Sequence, residues 1–381
     1  MQFDCIVIGA GLAGLTAARD LEDAGKSVLL IESNNEVGGR VRSDYQDGFI
    51  FDHGFQVINP RYPEVARSKI IKKLDFCYIS GSIRLADLNK KIGYNLASFS
   101  PEIAGVSEKL NLVKFIFSGK VSNNKSFAEY LDKFPELYQK VLKPFLTGVF
   151  LTDPATIAAD VAQDILRSFV KSLPGVPANG VGQFSKALAN SLQNIKTETK
   201  VEKILGNTVF TNSGEFFARN VVIATDPISA QTLVPTFKPP KMLKSTTMYF
   251  SNSEELANAR NLVISAKSKL VNSIVMNKVS PNYAPPGKNL VSATSLLPLS
   301  ESEFKTELSA IWGCYCKTWD VLARYEIDKS LPFHPPGKNR IQNLQIGENL
   351  FMIGDHMNSP SQQGAMRSGA LVAGLINQLT R

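Results

Sequence analysis

The opening stretch leaves this chain few folds to choose from. Residues 4–8 (DCIVI) are an apolar run of the length of a buried parallel strand. Gly9-Ala10-Gly11-Leu12-Ala13-Gly14 follows, then a helical run to about Ala24, with Gly25 as its C-terminal glycine. Val28 to Ile31 reads as a second buried strand, and it ends in Glu32. This is G-x-G-x-x-G in its full strand–turn–helix–strand setting. Gly9 permits the turn, Gly11 lets the backbone approach a pyrophosphate, and Gly14 lets the helix pack on the strand. The free N–H groups of the first helical turn, around Leu12 and Ala13, favour an anion together with the helix dipole. Glu32, with Ser33 beside it, is placed to accept hydrogen bonds from a ribose, and its charge disfavours a 2′-phosphate. The unit predicts a dinucleotide site, and NADP does not suit it.

The fingerprint alone does not choose between NAD and FAD; the next residues do. Val37-Gly38-Gly39-Arg40-Val41-Arg42-Ser43 comes soon after Glu32. Two glycines and an arginine bring backbone N–H groups and a guanidinium toward the same pyrophosphate. An ordinary NAD fold has no such second anchor, so FAD is the expected cofactor.

With these residues the sequence resembles the flavin-containing amine oxidase and phytoene desaturase superfamily, and further blocks extend the resemblance. Phe51-Asp52-His53-Gly54-Phe55-Gln56-Val57 is similar to the family segment that passes beside the isoalloxazine. Pro177 through Gly180-Val181-Gly182, with a helix over Phe184 to Leu192, loosely resembles the P-x-G-G block. Val201-Glu202-Lys203-Ile204 resembles the strand whose valine meets the adenine, and Val221 through Ala224-Thr225-Asp226-Pro227 the strand that closes the middle of the FAD domain. The last block, Phe351-Met352-Ile353-Gly354-Asp355 then Gln363-Gly364-Ala365-Met366-Arg367-Ser368-Gly369, resembles the C-terminal G-D…G-A-x-x-S-G signature. It also has a reading of its own. Leu350 to Ile353 is a buried strand, and Asp355 stands at its carboxyl edge, where ligands of open α/β sheets bind. There it would reach a ribitol hydroxyl, while a helix starting near Gln362 would point its N–H groups at the pyrimidine end of a flavin.

The order of blocks implies an α/β chain: a discontinuous Rossmann-like FAD-binding domain (1–74, 171–235 and 336–381) with an inserted mixed α+β substrate domain (75–170 and 236–335). In the inserted part, Ala104 to Phe117 and Phe127 to Val141 are helical by pattern. Met242 to Phe250 and Leu290 to Ser295 read as strands. No second G-x-G-x-x-G follows a strand, so no NAD(P)H site is expected. Electrons would pass from a small-molecule substrate to flavin and on to an acceptor such as oxygen or a quinone.

Lys plus Arg number 42 and Asp plus Glu 34, a formal charge of +8, spread along the chain rather than gathered on one element. That distribution argues against nucleic acid and reads as mostly solvated surface, compatible with weak attraction to an acidic membrane face. No stretch approaches 18 apolar residues, so no spanning helix is expected. Cys5, Cys77, Cys314 and Cys316 have no zinc spacing, and the three histidines do not cluster, so no metal is expected. A cytoplasmic location fits.

Two departures from the amine oxidase pattern bear on the reaction. In many amine oxidases a lysine on the strand aligned with Met242 to Phe250 holds a water near flavin N5; here that position is Ser245, with Lys244 facing the other side. The aromatic that precedes the C-terminal G-A is replaced near Ser361, leaving Tyr325 or Trp319 as candidates for half of an aromatic cage. Both departures leave room for a bulkier, largely apolar substrate. The expected reaction is hydride removal from a C–N or C–C bond. No catalytic side chain can be named; His53 and His356 flank the expected flavin segments and could move a proton. Two other readings stay open: non-redox isomerisation, resembling carotenoid isomerases or sugar mutases, and a flavin-free binding protein resembling the Rab escort relatives of this fold.

Overall fold

A computed structural model describes residues 2–93, 98, 100–256 and 259–379. Its first sheet grows outward from the strand Gln2–Ile8, whose Cys5 to Ile8 are buried on both faces. Val28–Ile31 runs parallel on one side and Gly214–Ile223 parallel on the other. Ile195–Lys196 extends the first edge. Val201–Leu205 and Thr208–Thr211 extend the second as an antiparallel ribbon, and Leu350–Met352 joins Gly214–Ile223 in parallel. The parallel centre has continuous apolar strands because helices cover it. Helix Leu12–Asp23 packs on it and on the C-terminal helix Gln362–Leu379. The approach of the two helices is close: a Cβ on Gly369 would lie 2.3 Å from the Ala13 carbonyl.

The second sheet also has seven strands, in the order Asp320–Pro332, Met242–Asn252, Asn289–Ser295, Leu270–Val275, Leu262–Ile264, Ser82–Leu85, Lys90–Gly93. Met242–Asn252 is mostly buried and pairs antiparallel with both neighbours. Helices from Val106–Phe117 to Ala159–Lys171 gather over one end, around their own core of Phe115, Phe127, Phe134, Leu146 and Phe150. The architecture is α/β: a Rossmann-like sheet beside a mixed substrate-side layer.

Several expected elements fall where the pattern puts them, with ends shifted by a few residues. One does not. The helix expected over Phe127 to Val141 is broken into a 3-10 segment, Phe127–Lys133, and a new helical run from Pro135. Phe134 leaves the helical region (φ −152°), and Pro135 has no N–H to continue the ladder, so the chain restarts with proline in its first turn. The 13-residue strand Asp320–Pro332 was not anticipated: its alternating polar sequence is that of a half-exposed sheet edge.

Candidate functional site

A single cavity of about 1400 Å³ runs from the Gly9–Gly14 turn to the helices of the substrate side. Its first part lies at the carboxyl ends of the first sheet's parallel strands. Gly9 holds φ +104°, and a Cβ there would come 2.9 Å from the Ala224 carbonyl oxygen, so only glycine makes this turn without displacing the neighbouring strand. Gly14 is needed for closeness, since its Cβ would fall 1.9 Å from the Gly9 oxygen. At Gly11 a Cβ would meet no protein atom within 4 Å. The space in front of the helix N-terminus is therefore open, and no side chain caps that terminus. Gly11, Leu12 and Ala13 line it.

The second anchor lies directly opposite. Gly38 (φ +118°) bonds its N–H to the Ala10 carbonyl at 2.8 Å, and Gly11 and Gly38 form a bridge. Glu32, buried at the end of its strand, accepts from the Ala10 N–H at 2.8 Å and from the Asn34 N–H at 2.9 Å. Glu32, Ser33, Gly38, Gly39, Arg40 and Val41 all line the cavity, as do Val201, Ala224 and Thr225 from the far strands. Arg40 reaches across to Asp355, Nη2 to Oδ1 2.7 Å, and donates to the Ser330 carbonyl at 2.8 Å. Burial opposes its charge, but Asp355 outweighs that, and the guanidinium is raised above its ordinary value. Gly354, Asp355 and Ala365 complete this wall, with Gly54, Phe55, Gln56 and Val57 on the facing segment. Gln56 fixes that segment by donating to the carbonyls of Arg40 and His53.

Five of the residues singled out in the sequence stand behind the wall instead of in it. Gly14 serves packing, as above. Arg42 is outside the lining, its Nε buried without a hydrogen-bond partner among the described residues. Gln363 turns to accept from the Glu64 N–H at 2.9 Å, and Gln362 takes the cavity-facing place. Gly364 lies against the Ser359 carbonyl, and Met366 is fully buried behind the helix.

The block Gly180-Val181-Gly182 also acts from behind. The Val181 and Gly182 N–H groups donate to Asp52 and to Ser43 Oγ, and the Ser43 hydroxyl donates to Asp52 at 2.6 Å. Asp52 further accepts from Tyr283 Oη at 2.7 Å, and its carbonyl accepts from Tyr249 Oη. Burial pushes this carboxyl up to about 6, against the pull of its donors. Neither the sequence pattern nor the resemblance singled out Asp52 as this hub, because, apart from Ser43 on the paired strand, its partners come from three distant segments.

The histidines differ. His53 lines the cavity, with Nε2 2.9 Å from Asp44 Oδ2 and its ring 4.9 Å from that of Tyr325. His356 is outside the lining, and burial pushes its imidazole down to about 4, which leaves it neutral near pH 7. The aromatic cage candidates are engaged elsewhere: Tyr325 donates to Asp44 and Trp319 Nε1 to Glu254, and neither lines the cavity. Ser245 does line it, bonded to Ser330 at 2.7 Å, whereas Lys244 is exposed and paired with Asp328. Cys314 and Cys316 sit with Sγ atoms 3.5 Å apart, and burial raises both thiols. No group of three or more metal-ligating side chains occurs among the described residues.

The second part of the cavity was not legible in the sequence. Leu112, Val141, Phe145, Val149, Leu166 and Phe169 make an apolar chamber beyond Thr247, Thr294 and Ser245. Lys329 and Asp226, an ion pair at 2.9 Å, also border the cavity.

The parallel sheet, the doubly anchored glycine cradle and the attached apolar chamber define a dinucleotide-dependent protein with a roomy substrate side. The chain belongs to the flavin-containing amine oxidoreductase family, whose sequence profile matches residues 12–75 and 74–377. Its cofactor is FAD. Among curated relatives it is 26% identical over 250 residues to polyamine oxidase 2 of Arabidopsis thaliana, covering 58% of this chain and 50% of that protein. It is 55% identical over 53 residues to 4,4'-diapolycopene oxygenase of a Methylomonas species, covering 14% and 11%. These matches span at most about half the length of the relatives. An oxidoreductase from Methanosarcina mazei has the same fold, with TM-score 0.79 over 98% of this chain and 100% of that one, at 17% identity.

Proposed function

We propose that this chain is an FAD-dependent oxidoreductase that takes a hydride from a C–N or C–C bond of a largely apolar organic substrate and passes the electrons to oxygen or a quinone. One observation carries the reading: the cradle for the dinucleotide and the apolar chamber are one continuous cavity. A substrate in the chamber can therefore meet the reactive end of the cofactor without crossing water.

Bound FAD supplies the redox chemistry; the chain supplies place and polarity. The N–H groups of Gly11, Leu12 and Ala13 would hold the pyrophosphate, with Gly39 opposite and Gly38 fixed against the Ala10 carbonyl to let the backbone approach. Glu32 and Ser33 would take the adenosine ribose and Val201 the adenine. Arg40, Val41, Asp355, Ala224 and Thr225 would border the middle of the cofactor, and Gly54, Phe55, Gln56 and Val57 its ring. Ala365, at the start of the C-terminal helix, would stand at the pyrimidine side, where the helix dipole favours negative charge. We assign Gly14, Arg42, Gln363, Gly364 and Met366 the supporting role of fixing the backbone around that site. Ser245, Thr247 and Thr294 are small hydroxyl side chains at the junction with the chamber, and they leave room for a bulky substrate.

The two seven-stranded sheets support a division into a cofactor domain (1–74, 171–235 and 336–381) and a substrate domain (75–170 and 236–335), since each of these two keeps its strands within one set, while the small sheet of Phe76–Tyr78 and Gly175–Pro177 links the sets. No helix among the described residues is long and apolar enough to cross a membrane. We place the protein in the cytoplasm, a reading supported by its four unpaired cysteines.

The test is anaerobic bleaching of the flavin absorbance by a panel of polyamines, small amines and apolar polyenes, followed by reoxidation with oxygen or a soluble quinone. Bleaching by an apolar substrate supports the reading. Fast bleaching by a small polyamine alone would replace it with amine oxidation, and a protein that retains no flavin after reconstitution would sink it.

A further inference from the structure

The face of helix Val106–Phe117 that turns away from the protein is apolar. Val106, Leu110, Val113 and Phe117 follow one another at spacings of four, three and four, which sets them on one stripe. They are 71%, 63%, 50% and 63% exposed. The helix already has a buried face, since Phe115 and Ile116 join the helical core beneath it. The outer stripe is therefore a second apolar surface with nothing over it among the described residues, and a contiguous patch of this kind marks an interaction site.

Its border carries positive charge. On a helical projection Lys109 and Lys114 flank the stripe on its two sides; exposed Lys120 follows in the chain, and exposed Lys171 ends helix Ala159–Lys171, which packs against this one. Three carboxylates of this region are engaged elsewhere. Glu108 accepts from the Leu137 N–H, Glu102 pairs with Lys90, and Asp164 pairs with Arg340 and Arg167. Lys114, Lys120 and Lys171 are in no ion pair among the described residues. The stripe also borders the mouth of the cavity: Val113 and Val170 are exposed, the latter 44%, and both line the apolar chamber.

We propose that this face rests on an anionic lipid bilayer, with Val106, Leu110, Val113 and Phe117 at the acyl boundary and the lysines among the headgroups. An apolar stripe edged by lysines is the pattern of a helix lying in the membrane interface. A second copy of the chain is a poorer occupant, because a twofold contact would set these lysines against one another. Seated this way, the chamber opens directly onto the acyl layer, and an apolar substrate passes into it without an aqueous step. The proposal rests on the exposed face and not on the proposed reaction, and it is read without turnover.

The experiment is flotation of the flavin-loaded full chain with phosphatidylcholine vesicles, with and without phosphatidylglycerol, at low and high salt. We expect binding to the phosphatidylglycerol vesicles, weakened by salt, and weaker binding to phosphatidylcholine alone. The double variant Leu110→Asp/Phe117→Asp, whose sites are exposed and whose fold is checked by circular dichroism and flavin content, should lose about tenfold or more in vesicle affinity. Lys114→Glu/Lys171→Glu should lose the phosphatidylglycerol preference while keeping residual binding. No binding of the native chain, or equal binding by the double variant, overturns the proposal. So does a native dimer that the double variant converts to monomer, which would make the face a contact between copies.

Discussion

Arg40 and Asp355, 315 residues apart in the chain, meet at 2.7 Å across the cavity, and the same guanidinium donates to the Ser330 carbonyl. One side chain thus ties the second glycine anchor, the last strand of the first sheet and the long edge strand of the second. Asp355→Ala would leave Arg40 half-buried beside an empty place. Since Arg40 keeps about a third of its surface exposed (36%), solvent reduces the loss. We expect about 1–3 kcal/mol of destabilisation and at least tenfold weaker flavin retention, measured by thermal melts of the apoprotein and by flavin released on dialysis.

Gly9 and Gly11 should separate stability from binding. Gly9→Ala forces a Cβ against the Ala224 carbonyl at a positive φ, so the apoprotein should lose on the order of 2–4 kcal/mol. Gly11→Ala puts a methyl group where no protein atom lies within 4 Å, at an ordinary φ of −75°. The apoprotein should melt within about 0.5 kcal/mol of native and yet bind FAD far more weakly. Titration of both apo variants with FAD checks this; undiminished FAD affinity in Gly11→Ala would remove the pyrophosphate from this turn.

Asp52 should leave a mark on the pH dependence of stability. Its carboxyl titrates near 6 in the folded chain against 3.8 as the ordinary value, so the folded chain holds a proton that the unfolded chain releases first. Its contribution is greatest at or below pH 3.8, falls as pH rises through about 6, and is level above that, a change of about 3 kcal/mol. Melting native and Asp52→Asn proteins between pH 4.5 and 7.5 reads the difference. The native protein should lose stability relative to the variant across that window, and parallel curves would refute the shift.

Phe145 and Phe169 pack edge to face, ring centroids 5.0 Å apart, in the wall of the apolar chamber. Phe145→Ala should raise KM for an apolar substrate about tenfold while flavin content stays native. Lys244→Ala, on the exposed side of the strand that carries Ser245, should leave turnover and KM unchanged. A collapse of turnover in Lys244→Ala would assign that lysine a part in the reaction.

The cradle could be read along the chain because it is local. Strand, glycine turn, helix and acidic strand end follow one another within 32 residues, and close backbone approach permits little but glycine at Gly9 and Gly14. The buried parallel strands were legible for the same reason, as short unbroken apolar runs. Tertiary structure decided what depends on residues far apart. It turned Arg40 to Asp355, sent Gln363 outward to Glu64 while Gln362 faced the cavity, and made Asp52 the centre of a buried network. It also joined the chamber to the cradle, through apolar side chains that sequence alone cannot separate from ordinary core. Periodicity states which face of a helix is apolar; only packing decides whether that face is covered by protein, lines a cavity or, like the stripe from Val106 to Phe117, is left open to the outside.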